Sequence, residues 1–131
     1  MKENVIQNKS YNFALRIIKA YQYLKSKQEY DLGRQLLRSG TSIGANIEEG
    51  IGGQSEKDFF AKINIAHKEC RETHYWLRML KDSNILEEKL SRSLIKDCEE
   101  LLKLSSKIIT TESVQKSVSK ITNNKLNIFD K

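Results

Sequence analysis

The sequence contains no proline in 131 residues. The residue that most reliably breaks a helix interior is therefore missing, and long helices meet no such stop. Aromatic residues make up only 8% of the chain. With Leu, Ile, Lys and Glu abundant instead, the composition points to long helices. Cysteine is scarce too: Cys70 and Cys98 form neither a C-x-x-C pair nor a disulfide framework, so buried, reduced thiols are expected. No run approaches the roughly 18 apolar residues that span a membrane. The first residues, MKENVIQNKS, lack an apolar core, so no signal peptide is expected and a cytoplasmic address follows. Acidic residues are the minority charge, 17 against 23 Lys and Arg, for a net +6. That balance leans toward polyanionic partners without naming one. At this length a single domain is the default.

Breaks in the pattern are few. Lys25-Ser26-Lys27-Gln28 is polar, Gly50, Gly52 and Gly53 cluster, and Asp82-Ser83-Asn84 reads as a turn. Four segments with helical periodicity lie between them. In residues 4–25, Ile6, Phe13, Ile17, Tyr21 and Leu24 form one apolar stripe. In residues 30–49 the stripe is Leu32, Leu36, Ile43 and Ile47, with Gly40 on the same face. The glycine cluster then predicts a left-handed helix end. Ser55 fits a helix N-cap, with Asp58 in the first turn. In residues 55–81, Phe59, Ile63, Ala66, Cys70, Thr73, Leu77 and Leu80 step alternately by four and three, an unbroken heptad seam. A fourth segment from residue 86 carries Leu86, Leu90, Leu94, Cys98, Leu101, Ser105 and Ile108.

Four amphipathic helices with short connections predict an all-α, antiparallel, up-and-down four-helix bundle over residues 1–110. Residues 111–131 are richer in Ser, Thr, Asn and Lys. They read as a helical continuation through Val114, Val118 and Ile121 or as a flexible tail. Leu126, Ile128 and Phe129 are the apolar residues of its last part. A frayed terminus is the simpler expectation and docking on a neighbouring subunit the sharper one.

The second segment holds Gly40 and Gly44 in a G-x-x-x-G spacing. Each glycine costs a helix about 1 kcal/mol against alanine, so close approach of another helix is expected there. Gln35, Ser39, Ser42, Asn46 and Glu49 step by four and three beside the apolar stripe. This polar seam predicts hydrogen bonds to neighbouring helices that fix register. A catalytic role would need a nucleophile, a base and an orienting group together, and Ser42 has no histidine nearby in sequence.

The stretch Gln35-Leu36-Leu37-Arg38-Ser39-Gly40-Thr41-Ser42-Ile43-Gly44-Ala45-Asn46-Ile47-Glu48-Glu49-Gly50 resembles the signature of bacterial four-helix bundle proteins encoded by intervening sequences in 23S rRNA genes. Ser55-Glu56-Lys57-Asp58-Phe59 and Ile65-Ala66-His67-Lys68-Glu69-Cys70-Arg71-Glu72-Thr73-His74-Tyr75-Trp76-Leu77 are similar to that family's third helix. The likeness covers residues 10–110 or so. It departs in lacking the proline that often precedes the second helix, and in the tail. It implies a left-handed bundle assembling as a ring, usually a homopentamer, with no enzymatic activity. A related member is the accessory protein of diversity-generating retroelements, a basic pentamer that binds nucleic acid and a partner reverse transcriptase.

Residue chemistry agrees with a non-enzymatic reading. A di-metal bundle needs Glu-x-x-His pairs, but Asn64 and Arg71 stand three residues before His67 and His74. Those histidines are two turns apart, about 10 Å along a helix, too far to chelate one ion. No phosphate-binding glycine loop follows a strand. No cofactor and no metal are expected.

Positive charge concentrates in the first segment: residues 1–28 hold Lys2, Lys9, Arg16, Lys19, Lys25 and Lys27 against Glu3 alone. Lys2, Lys9 and Arg16 are seven apart and share one face, with Lys19 widening the strip. A solvated, solubilising face is the plainer reading. With Lys27, these residues are also the candidate contacts for RNA or an RNA–DNA hybrid, repeated around a homo-oligomer. Tyr11, Tyr23 and Tyr30 lie close by for stacking. The alternative is a scaffold that recruits a protein such as a reverse transcriptase and has no nucleic-acid role.

Overall fold

The chain folds into α1 (Val5–Ser26), α2 (Tyr30–Ile51), α3 (Glu56–Asp82) and α4 (Glu88–Phe129). This computed structural model describes residues 4–129, with side chains through residue 124. Every helix packs on its sequence neighbours, and α1 also packs on α4, which closes the bundle.

Side-chain neighbours give the directions. Leu24 borders Gly33, Ile17 borders Gly40 and Ser10 borders Gly44, so α1 runs against α2. Ser39 meets Thr73 and Glu49 meets Lys62, while His74 meets Glu99 and His67 meets Ser105. All consecutive helices are thus antiparallel. Lys9 with Glu100 and Arg16 with Asp97 set α1 against α4 in the same sense.

Short connections need sharp helix ends, and two of them share one device. Gln28 and Asn84 take left-handed backbone, with φ of 63° and 62°. Behind them, Glu29 N–H reaches the Leu24 carbonyl and Ile85 N–H reaches the Leu80 carbonyl, the bonds of a Schellman ending. The glycine cluster, expected to do this for α2, does not: no glycine has positive φ, and Gly52 sits at −81°. Gly50 makes room instead. A Cβ on Gly50 would lie 3.0 Å from Lys62 Cβ and 3.3 Å from the Phe59 carbonyl oxygen, so a side chain there would push α3 away. Ser55 caps α3 by accepting the Asp58 N–H at 3.1 Å.

Ile17, Leu24, Leu36, Ile47, Ile63, Leu77, Leu80 and Leu94 are completely buried, each worth about 1.5–3 kcal/mol on burial. The α3 stripe follows the expected heptad with one correction. Phe60 is buried where Phe59 was expected, and Phe59 is half-buried against Gly50. In α1, Ala20 takes the core position expected of Tyr21, whose ring covers Gly33. In α4, Ser91 is buried beside the half-buried Leu90; its hydroxyl donates to the Glu87 carbonyl at 2.8 Å. A hydroxyl satisfied by its own helix occupies a core site at little cost.

Beyond Ile109 the helix leaves the bundle. From residue 110 to 124 only Glu112 is even partly covered, yet α4 runs on to Phe129.

Candidate nucleic-acid interface

The basic strip on α1 is divided by its neighbours. Lys9 Nζ pairs with Glu100 at 3.0 Å, and Arg16 pairs with Asp97 and donates to Ser93 at 3.0 Å. These two cations line a small groove of about 170 Å³ between α1 and α4 and zip that seam. Their charge is locally neutralised, which sequence spacing could not show: it gives a residue's face but not the helix opposite. Lys19 and Lys27 are exposed and have no acidic partner among the described residues. Lys27 Nζ lies 5.7 Å from the Tyr23 ring centre, a cation–π distance. Lys2 lies outside the described residues.

The fold adds cations that the first segment alone did not suggest. Because α1 and α3 run the same way, the α1–α2 and α3–α4 turns lie at one end. The halves of the helices nearer that end carry Lys19, Lys25 and Lys27 on α1 and Arg78, Lys81, Lys89, Arg92 and Lys96 on α3 and α4, together with the acidic Glu29, Asp31, Asp82, Glu87 and Glu88 of the same turns. Some are paired locally, Lys81 with Asp82 at 3.0 Å and Arg92 with Glu88 at 2.8 Å. Arg78, Lys89 and Lys96 have no ion pair among the described residues. Arg78 lies 5.8 Å from the exposed Tyr75 ring. A groove of about 350 Å³ runs here between α3 and α4, bordered by His74, Arg78, Lys81, Arg92, Lys96 and Glu99. Cations over a shallow groove beside exposed tyrosines can meet phosphates and unstacked bases.

The polar seam of α2 serves the bundle in three ways. Thr73 Oγ1 lies 2.9 Å from Ser39 Oγ and 2.8 Å from the Glu69 carbonyl, all deep in the α2–α3 contact. Glu49 reaches Lys62 at 2.7 Å. Asn46 turns back on its own helix, donating to the Ser42 carbonyl at 2.9 Å. Gln35 faces solvent. The expectation of bonds to neighbouring helices therefore holds for Ser39 and Glu49 but not for Ser42 and Asn46. Next to the seam, Arg38 donates to Glu69 and Glu72, and Glu72 also accepts the Trp76 indole N–H at 3.0 Å. The α2 motif thus binds α3.

The two cysteines, far apart in sequence, meet in the core. Their sulfurs are 3.6 Å apart and each donates to the other's carbonyl at 3.4 Å. The bond with Cys70 and burial push the Cys98 thiol well above its usual range. His67 lies 2.7 Å from Ser105 Oγ, and burial, aided by the nearby Arg71, lowers its pKa from 6.5. No cluster of three or more metal-ligating side chains occurs among the described residues, and no described helix is long and apolar enough to cross a membrane.

A family model described as 23S rRNA-intervening sequence protein matches residues 2–107. The chain belongs to that family. It is also similar to a crystal structure from Bacteroides thetaiotaomicron, a protein of unknown function from the S23 ribosomal protein family. The two are 43% identical with a TM-score of 0.77, over 80% of this chain and 98% of the other. No curated protein matches. Within this member of the intervening-sequence family, Ser39 and Glu49 of the signature tie α2 to α3, and Gly40 admits Ile17. The match ends where α4 leaves the bundle.

Proposed function

We propose that this intervening-sequence family protein is a non-enzymatic, oligomeric nucleic-acid-binding bundle. It grips the phosphate backbone of RNA or an RNA–DNA hybrid through its turn end. The observation that carries this reading is the set of exposed cations at one end, Lys19, Lys25, Lys27, Arg78, Lys89 and Lys96, without acidic partners among the described residues. Lys9 and Arg16 act as structural cations. Phosphate contacts of this kind are sequence-tolerant and strongly salt-dependent.

Two exposed apolar faces support assembly. Tyr11, Leu15 and Ile18 are exposed on α1, and Ile65, Tyr75 and Met79 on α3. At about 100° per residue both sets point away from the core. Because α1 and α3 are diagonal corners of the bundle, these faces look in opposite directions. Such a pair suits head-to-tail contacts, which close into rings. A pentamer then presents five cationic ends, and weak single contacts add through multivalency.

The test is a fluorescence-anisotropy titration of the full protein on structured RNA across a salt series. Lys19→Gln with Lys27→Gln weakens binding and flattens the salt dependence. Lys9→Gln with Arg16→Gln, which removes the same charge, has the smaller effect. The opposite order, or no binding at low salt, contradicts the reading.

A further inference from the structure

The part of α4 beyond the bundle carries an apolar edge that its own bundle does not use. Val114, Val118 and Ile121 are each more than half exposed, at 56%, 57% and 57%. Inside the bundle the buried side of α4 is Leu94, Cys98, Leu101 and Ser105. Carried forward at about 100° per residue, that side reaches Glu112, Gln115, Ser119 and Asn123, which are polar and overhang Glu56, Lys57 and Phe60 at the start of α3. The Val114–Val118–Ile121 edge lies about 150° around the helix from it. It therefore faces away from every helix of its own chain.

We propose that this edge is a self-association seam that packs against the same edge of a second copy of the chain. Thr111, Val114, Val118 and Ile121 step by three, four and three, and the next position at that spacing is a cation, Lys125, which bounds the apolar run. That is a heptad seam with β-branched residues at its centre, the pattern that one helix offers to a like helix. The positions flanking it are Gln115, Ser117, Thr122 and Asn124. All are uncharged, so along residues 111–124 two copies meet without like-charge repulsion, and a partner selected by opposite charge has nothing to read there. Lys116 and Lys120 lie on the far side of the helix from the seam. Residues 110–124 contain no aromatic residue and no leucine, the bulky anchors that hold helices on membrane surfaces; Leu126 and Phe129 are the first such residues in the sequence after it. The extension lies outside the family match, which ends at residue 107. It leaves the bundle at the end opposite the α1–α2 and α3–α4 turns.

The test uses the full-length protein with single cysteines at Val114, Val118 and Ile121, and Ser119→Cys on the opposite side as control. Under mild oxidation with diamide, at least one seam position gives an intermolecular disulfide several-fold faster than the control. Val118→Glu with Ile121→Glu lowers the self-association constant at least tenfold in sedimentation equilibrium, with helix content and melting temperature unchanged. Cross-linking at Ser119 as fast as at every seam position overturns the proposal. So does unchanged sedimentation of the double glutamate variant. Loss of flotation with anionic phospholipid vesicles in that variant, with sedimentation unchanged, makes the edge a membrane face and also overturns it.

Discussion

Gly40 and Gly44 look equivalent by spacing, but the structure predicts opposite responses to alanine. In a helix interior the exchange to alanine gains about 1 kcal/mol from backbone entropy alone. At Gly44 a new Cβ would lie 3.4 Å from Ser10 O and Oγ, close to ordinary contact. Gly44→Ala is therefore neutral or stabilising by up to about 1 kcal/mol. At Gly40 the Cβ would lie 2.8 and 2.9 Å from the two γ carbons of Ile17. Ile17 is completely buried, so it cannot swing into solvent. Overpacking of this kind costs about 1–3 kcal/mol, which offsets or exceeds the helix gain. Gly40→Ala is expected to destabilise by about 0–2 kcal/mol net. Urea unfolding of both variants, followed by circular dichroism, measures the difference. A double-mutant cycle with Ile17→Ala adds a control. Ile17→Ala alone costs about 2–5 kcal/mol and costs less in the Gly40→Ala background, because it removes the atoms that collide. If Gly40→Ala stabilises as much as Gly44→Ala, the close α1–α2 approach is wrong.

Three further outcomes follow from named contacts. Lys9→Gln and Arg16→Gln each lower stability by only about 0.2–1 kcal/mol, because both ion pairs are partly exposed; losses of several kcal/mol in denaturant titrations contradict this. The folded chain resists protonating His67, whereas the unfolded chain takes that proton near pH 6.5. Its contribution is therefore present above pH 6.5 and lost as pH falls below it. The stability of His67→Gln should fall less steeply over that window; parallel curves contradict the assignment. Cys70 and Cys98, buried and hydrogen-bonded to each other, should react with a maleimide only on unfolding. Rapid labelling of the native protein counts against the packing.

Which parts were legible in the sequence depended on whether the cause was local. The unbroken heptad from Ile63 to Leu80, the Ser55 cap and the polar turns are set by neighbours a few residues away, and they are found where the pattern places them. The exchange of Phe59 for Phe60 shows the limit: both fit a helix stripe, and the neighbouring helix, which puts Gly50 beside Phe59, is not part of the local pattern. The left-handed endings went to Gln28 and Asn84, because the required φ follows from the backbone path and glycine merely permits it. Charge was the least legible. Lys9 and Arg16 share a face in the sequence, but Asp97 and Glu100, which neutralise them, are about 80 to 90 residues further on. The gathering of Arg78 and Lys96 at the same end as Lys19 and Lys27 is likewise a product of antiparallel topology. The switch of apolar face along α4 is local in origin, since Val114, Val118 and Ile121 lie about 150° around the helix from Leu94 and Leu101.

The central claim is that unpaired cations at the turn end, repeated in an assembly, hold nucleic acid. Its most direct test is the slope of log Kd against log salt for structured RNA, measured on particles whose mass is fixed by multi-angle light scattering. The expected result is a multimer whose slope falls by about one unit for each engaged turn-end cation removed, and by less when Lys9 and Arg16 are neutralised instead. A lone protomer, or a slope indifferent to Lys19, Lys27, Arg78 and Lys96, contradicts it.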